Sequence, residues 1–290
     1  MSLPLPPDLD PEAQDILSLL LRLGRESGEG LRSFLEARGS TDEHPDFKGR
    51  RELVTDADRE SERLLVRGIR EAFPEHAILA EEGVETPAGR ADREARFCWV
   101  LDPLDGTTNF VHGHPHWSVS IGVLRDGRPW IGGIYAPMLG GREGGTFWYG
   151  CVEGGAFCNG EPMRVSRTAC LREAVVSTGF SYNRNEKGVN NNLGNFGRML
   201  MEVRGIRRCG SAAIDLALCA QGVYDAFWEM YLQPYDVAAG MALVHAAGGW
   251  VSDLGSGEDP LFGSEIFVTN GLLQEEMRPL LKGIRGEDPS

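Results

Sequence analysis

The sequence predicts an α/β chain of the α+β type, and three observations carry that prediction. A long helical run opens the chain, from Pro11 to about Gly39. A block of short, largely antiparallel strands follows, to about Cys158. Strands then alternate with helices to the end. The change of style divides the chain near residues 160–170, giving an N-terminal lobe over 1–165 and a C-terminal lobe over 166–290, built as one structural unit. No internal repeat is present.

In the first helix Ile16, Leu17, Leu19, Leu20, Leu21, Leu23, Leu31, Phe34 and Leu35 fall near helical spacing, and Gly28 and Gly30 are candidate breaks. A polar loop carrying Lys48 comes next. Glu52-Leu53-Val54-Thr55 reads as a short strand leading into a second helix, N-capped at Thr55 or Asp56 and closed by Pro74. Ala77–Ala80 and Phe97–Leu101 read as buried strands, the second ending at Asp102. Ser118–Leu124 and Trp130–Tyr135 form a hairpin through Asp126-Gly127. Thr146–Tyr149 and Gly155–Cys158 extend the sheet. In the second half, strands are expected at Ala174–Ser177, Ile206–Cys209, Val223–Trp228 and Ile266–Thr269. Helices are expected at Asn190–Val203, Ala212–Ala220, Asp236–Ala247 and about Leu272–Leu281.

Bulk properties exclude several classes. With 41% hydrophobic and 25% charged residues, the chain has the composition of a folded, soluble protein. A net charge of −14 opposes direct nucleic-acid binding, whose sequence-independent part comes from Lys and Arg on phosphates. It leaves room for a small phosphorylated ligand, because cations held by carboxylates can present a positive field. The six cysteines form no CxxC pair, so they are expected to be small buried hydrophobes of a reducing compartment. No signal segment and no apolar run of membrane-spanning length is found, which implies a cytoplasmic protein without membrane contact.

Five acidic residues stand out together: Asp58, Glu81, Asp102, Asp105 and Asp236. Three of them lie at or just past strand ends, where side chains can share a cleft. Pro103 makes a stiff corner between Asp102 and Asp105 and can aim both at one point. Carboxylates held that close repel unless a cation lies between them, and Mg²⁺ prefers such oxygen ligands. Gly106-Thr107-Thr108 then opens a short helix whose free N–H groups suit a phosphate, and Thr107 offers a hydroxyl to orient water. Asp-Pro-x-Asp-Gly alone reads as a turn. A turn does not require the buried strand before it or the Thr107-Thr108-Asn109-Phe110 continuation after it.

The stretch Trp99-Val100-Leu101-Asp102-Pro103-Leu104-Asp105-Gly106-Thr107-Thr108-Asn109-Phe110-Val111-His112 resembles the first signature of the inositol monophosphatase family. Tyr235-Asp236-Val237-Ala238-Ala239-Gly240, running to Gly248-Gly249, resembles the second. Leu53-Val54-Thr55-Asp56-Ala57-Asp58 and Ala80-Glu81-Glu82 match further blocks in order. The resemblance spans about Lys48 to Gly271. It implies a layered αβαβα sandwich of two mixed or antiparallel sheets, and a Mg²⁺-dependent, Li⁺-sensitive phosphatase.

Carried over by resemblance, Glu81, Asp102 and the carbonyl of Leu104 hold one Mg²⁺, while Asp102, Asp105 and Asp236 hold another. A third, looser ion lies near Glu81, with Asp58 in its water shell. Two to three ions are thus implied. A metal-activated water, oriented by Thr107 with Asp58 or Glu81, attacks phosphorus without a phosphoenzyme. Gly106 and Thr107 hold the phosphate, and Gly210, Ser211, Ala212 and Glu229 contact the hydroxyls of a phosphorylated polyol. Lys48 has a counterpart near the metals. A homodimer is usual among relatives.

Two departures stand out: Tyr235 replaces the usual Trp, and Ala246 stands where Glu is common. The first keeps an aromatic wall with a changed shape. The second implies a packing or specificity effect. His112, His114 and His116 have no carboxylate or cysteine at metal spacing, so a loop with one satisfied histidine is expected rather than a zinc site. Thr108-Asn109-Phe110 favours inositol monophosphate. Fructose 1,6-bisphosphate, adenosine 3′,5′-bisphosphate and histidinol phosphate are the rival substrates, and a metal-binding regulatory protein that keeps the fold is the rival without catalysis.

Overall fold

The computed structural model describes residues 3–39, 47–83, 95–140, 144–182, 185, 190–255 and 259–284, the side chains of 38–39 and 47–55 excepted. Helix α1 (Pro11–Gly39) starts where Asp10 Oδ1 accepts the Ala13 N–H at 2.8 Å. Pro11 takes the first position, where a missing N–H is harmless. Ala13, Ile16, Leu17, Leu20 and Leu23 make its fully buried stripe.

Gly28 and Gly30 do not break the helix, contrary to expectation. A Cβ on Gly28 would lie 2.5 Å from the Tyr135 ring, so its missing side chain admits the sheet. Helix α2 (Phe47–Ala72) contains residues 52–55, so the expected strand and the N-cap at Thr55 or Asp56 are both incorrect. Val54 and Thr55 favour strands locally, but Arg50, Arg51, Glu52 and Leu53 are good helix formers and the longer segment prevails. Lys48 has a helical backbone, and its side chain lies outside the described residues.

Seven strands form the first sheet in chain order: β1 (Ala77–Ala80), β2 (Phe97–Asp105), β3 (Ser118–Arg125), β4 (Arg128–Ala136), β5 (Thr146–Cys151), β6 (Gly155–Cys158) and β7 (Glu161–Met163). Only β1 and β2 are parallel. The β3–β4 turn has positive φ at both Asp126 and Gly127, as a two-residue hairpin demands. The second sheet has the order β11-β12-β10-β8-β9. Its strands are β8 (Val175–Thr178), β9 (Gly205–Arg207), β10 (Ala226–Met230), β11 (Trp250–Ser252) and β12 (Glu265–Thr269). Here β8 pairs in parallel with β9 and β10, and the remaining pairs are antiparallel. Strands β7 and β11, three residues each, are too short for sequence patterning to reveal.

The remaining helices are α3 (Thr107–Val111), α4 (Leu193–Leu200), α5 (Ala212–Ala220), α6 (Pro234–Ala246) and α7 (Gln274–Met277). Alternation along β2 assigns the layers. Trp99 and Leu101 face α1 and α2, whereas Cys98 and Val100 face α5 and α6. The α5–α6 layer also covers one face of the second sheet through Phe227, Ile266 and Val268. Val176, Trp228 and Phe267 on the other face pack with Met199, Met277 and Leu281. The result is the αβαβα layering that the family resemblance implies. Helices α5 and α6 are sandwiched, which explains their apolar composition all round.

The two helix glycines make opposite predictions. Gly28→Val is expected to destabilise by about 1–3 kcal/mol through overpacking against Tyr135. Gly30, with nothing within 4 Å of a Cβ, should gain roughly 0.5–1 kcal/mol as Gly30→Ala. Urea denaturation checks both, and equal effects would refute the packing assigned to Gly28.

Candidate active site

The site lies at the carboxyl ends of the parallel pairs β1/β2 and β8/β10, where side chains leave the sheets and enter a common crevice. Ala80 is opposite Leu101, and the Glu81 N–H continues the ladder to Leu101 O at 3.2 Å. Glu81 is therefore set beside Asp102. From Asp102 to Asp105 strand β2 advances three residues, while β3 advances two, from Ser120 to Ser118. This one-residue bulge decides the chemistry. In a regular strand positions i and i+3 face opposite sides, and the extra residue returns Asp105 to the side of Asp102.

Each carboxylate is then fixed by its own partners. Asp102 Oδ1 accepts the Leu104 N–H at 3.0 Å. Asp105 Oδ2 accepts the Ala213 N–H at 2.9 Å and the Ser211 hydroxyl. Ser211 also caps α5, accepting from Ile214 N at 3.3 Å, so it ties that helix to the first sheet. Asp236 is the third residue of α6 and accepts the Gln233 N–H at 2.6 Å in a capping box behind Pro234. Oxygens of Asp102, Asp105 and Asp236 lie within 4.8 Å of one another.

Gly106 turns the chain into α3 with φ 90°, a left-handed conformation that strains other residues. A Cβ there would also meet His116 O at 2.9 Å. Thr107 donates its hydroxyl to Leu104 O at 3.2 Å, which leaves its oxygen as an acceptor.

These residues line a cavity of about 450 Å³. Glu81, Asp102, Leu104, Asp105, Gly106, Thr107, Gly210, Ser211, Ala212, Glu229 and Asp236 all contribute to its wall. Asp58 does not. It is buried behind the wall, close enough for the Glu81 charge to act on it, and its Oδ1 has no hydrogen-bond partner among the described residues. Tyr235 lines the cavity, whereas Ala246 packs into the core at the far end of α6.

Electrostatics set the demand of the site. Two unit charges at 4.8 Å repel by roughly 3 kcal/mol at an effective dielectric near 20. Burial first, then Glu81, Glu82 and Glu62, pushes Asp58 up to about 8. Glu81 opens to the cavity, yet loss of water around its carboxyl pushes it up to about 7, against the pull of a hydrogen bond with Asp102. Asp236 rises to about 8, chiefly by burial. Asp102 and Asp105 are raised by burial too. The charges of Glu81 and Asp105 add to the rise of Asp102, while the Ser211 and Ala213 hydrogen bonds oppose that of Asp105. Grouped carboxylate oxygens, the Leu104 backbone in the wall and an orphaned Asp58 oxygen fit a hard divalent cation.

Comparison with known proteins identifies the family. The model of the inositol monophosphatase family matches residues 12–285. The chain belongs to that family. It is 41% identical over 235 residues to an inositol-1-monophosphatase of Synechocystis sp., covering 81% of this chain and 78% of that protein. A fructose-1,6-bisphosphatase/inositol-1-monophosphatase of Thermotoga maritima is 37% identical over 229 residues, 79% of this chain and 82% of the relative. The chain spans 61% of the length of the chloroplastic phosphatase IMPL1 of Arabidopsis thaliana, at 36% identity over 232 residues. Among solved structures, the inositol monophosphatase of Anabaena superposes with a TM-score of 0.81 at 33% identity, covering 96% of this chain and 98% of that one. Family membership makes the protein a phosphatase, a phosphoric monoester hydrolase from a metal-dependent family. No helix among the described residues is long and apolar enough to cross a membrane.

Arg208, Asp215 and Tyr182 also line the cavity, and the sequence reading does not single them out. Arg208 is the one cation among the described lining residues. Asp215 carried a usable signal, as a lone acid in the apolar helix α5. Tyr182, exposed at the rim, reaches Thr108 Oγ1 at 2.9 Å and left no trace in sequence spacing.

The raised carboxyls set the pH response. Their folded pKa values exceed the unfolded ones, so the folded state binds more protons, and that contribution to stability is lost as pH rises through the folded values. In EDTA the melting temperature should fall from about pH 5 to about pH 8, and Mg²⁺ should restore more of it at the higher pH. A melting temperature in EDTA that rises across this window contradicts the charge crowding described.

Proposed function

We propose that this pocket hydrolyses a small phosphate monoester of a polyol, with myo-inositol monophosphate as the first candidate, using Mg²⁺. The carrying observation is convergence. Glu81, Asp102, Asp105 and Asp236 share one cavity with the polar set Ser211, Arg208 and Glu229, and that cavity of about 450 Å³ suits a small ligand.

Glu81, Asp102, the Leu104 carbonyl, Asp105 and Asp236 would hold two to three Mg²⁺ ions. Bound there, the ions supply positive charge to the phosphoryl oxygens and lower the pKa of water. Thr107 keeps its proton on Leu104 O and can accept from a water, orienting it toward phosphorus. Asp58 and Glu81, close enough for their charges to act on each other, are the candidate acceptors of the water's proton. Gly106 and Thr107 border the phosphate end. Gly210, Ser211 and Ala212 border the same cavity beside Asp105, and Glu229, also in its wall, can accept from substrate hydroxyls. Arg208 beside Glu229 offers a second anion site, which keeps a bisphosphate such as fructose 1,6-bisphosphate in view.

Phosphate release from inositol 1-phosphate, fructose 1,6-bisphosphate, adenosine 3′,5′-bisphosphate and histidinol phosphate, with Mg²⁺ or EDTA, tests the reading. Inositol 1-phosphate should be the best substrate, and Mg²⁺ should be required. Asp105→Asn keeps an acceptor for Ser211 and Ala213, so it should fold, yet lose turnover by about two orders of magnitude or more. No Mg²⁺-dependent release, or near-normal turnover in Asp105→Asn, would sink the proposal.

A further inference from the structure

Behind the carboxylate cluster lies a second group of different chemistry. His116, Cys209 and Asp215 each offer a ligand atom, and these atoms lie within 4.8 Å of one another. His116 follows α3, Cys209 precedes α5, and Asp215 is on α5, so nothing in the linear sequence joins them. His114 Nδ1 accepts the His116 N–H at 3.3 Å, the satisfied histidine expected in this loop, but the His116 ring itself is left over. His116 Nε2 and Asp215 Oδ1 are buried, and neither has a hydrogen-bond partner among the described residues.

Asp215 is 2% exposed and His116 9%. Their facing atoms are 3.7 Å apart, beyond hydrogen-bonding distance. Two ligands on a tetrahedral Zn²⁺ with bonds of ~2.0–2.2 Å stand about 3.4 Å apart, close to this separation.

We propose that His116, Cys209 and Asp215 form a site for a borderline-soft cation, Zn²⁺ in the first instance, distinct from the all-oxygen site. A nitrogen, a sulfur and one carboxylate oxygen select such an ion over Mg²⁺. The site is built in advance. Asn109 Nδ2 donates to His116 O at 2.6 Å and to Cys209 O at 2.8 Å, locking together the two segments that carry the ligands. Asp215 lines the cavity, so the site adjoins it on one side. Burial lowers the pKa of His116, which favours the neutral imidazole that ligates. Burial first, and then Asp215, raises the Cys209 thiol, so binding releases the thiol proton to solvent.

The test uses the full chain, reduced, stripped with EDTA and resupplied with excess Mg²⁺ to fill the oxygen site. Titration with Co²⁺ should give a thiolate-to-metal charge-transfer band that saturates at one equivalent and disappears on adding Zn²⁺. Cys209→Ser should abolish the band. Cys170→Ser, which removes an exposed thiol elsewhere, should keep it. Asp215→Asn should weaken Zn²⁺ binding on the order of tenfold or more, since a three-residue site then loses a ligand. Melting curves confirm that each variant is folded. If Cys209→Ser does not fold, Cys209→Ala takes its place. A missing band, a band unchanged in the folded Cys209 variant, or a band lost in Cys170→Ser overturns the proposal.

Discussion

The fold is organised around a mutual repulsion that it does not relieve by itself. Asp102, Asp105 and Asp236 come from two strand positions and a helix start, and they meet within 4.8 Å, with Glu81 beside them and Asp58 buried behind. Every one of them is pushed toward its protonated form by burial. A chain selected for stability alone would separate such groups. Held together, they create a strong local demand for positive charge, and a divalent cation meets that demand in the form a phosphate ester can use.

Small backbone devices place those charges. One additional residue in β2 brings Asp105 to the face of Asp102. A glycine at φ 90° then turns the chain under the cavity floor. A capping box presents Asp236 at the mouth of the sandwiched helix α6. The two halves of the pocket are joined by polar bonds rather than by packing alone. Ser211 bridges α5 to Asp105, and Asn109 clasps the backbone before α5 to the loop after α3. The β2–α3 wall and the α5 wall of the cavity are therefore parts of one hydrogen-bonded unit.

Much of this was legible in the sequence wherever local chemistry was decisive. The hairpin at Asp126-Gly127, the buried strand before Asp102 and the apolar helices α5 and α6 follow from turn residues and apolar patterning. The Asp102–Thr108 segment points to the cavity through its surroundings: the pentapeptide alone is a turn, but the buried strand before it and Thr107–Phe110 after it are more than a turn needs. Reading failed where long-range context prevailed. Val54 and Thr55 suggested a strand, but a helix with good formers upstream absorbed them. Gly28 suggested a break, but it is a contact point for Tyr135. Arg208 and Tyr182 reach the pocket only through tertiary folding. The sequence neighbours of His116 hold no metal partner for it, and Cys209 and Asp215 arrive from about a hundred residues away.

The central assignment is that the crowded carboxylates exist to hold divalent cations. Anomalous diffraction from crystals soaked in Mn²⁺, an X-ray-visible substitute for Mg²⁺, tests it most directly. Peaks are predicted within ligand distance, ~2.0–2.3 Å, of carboxylate oxygens of Asp102, Asp105 and Asp236, with one also touching Glu81. A well-ordered, Mn²⁺-soaked crystal with no peak between these residues would contradict it.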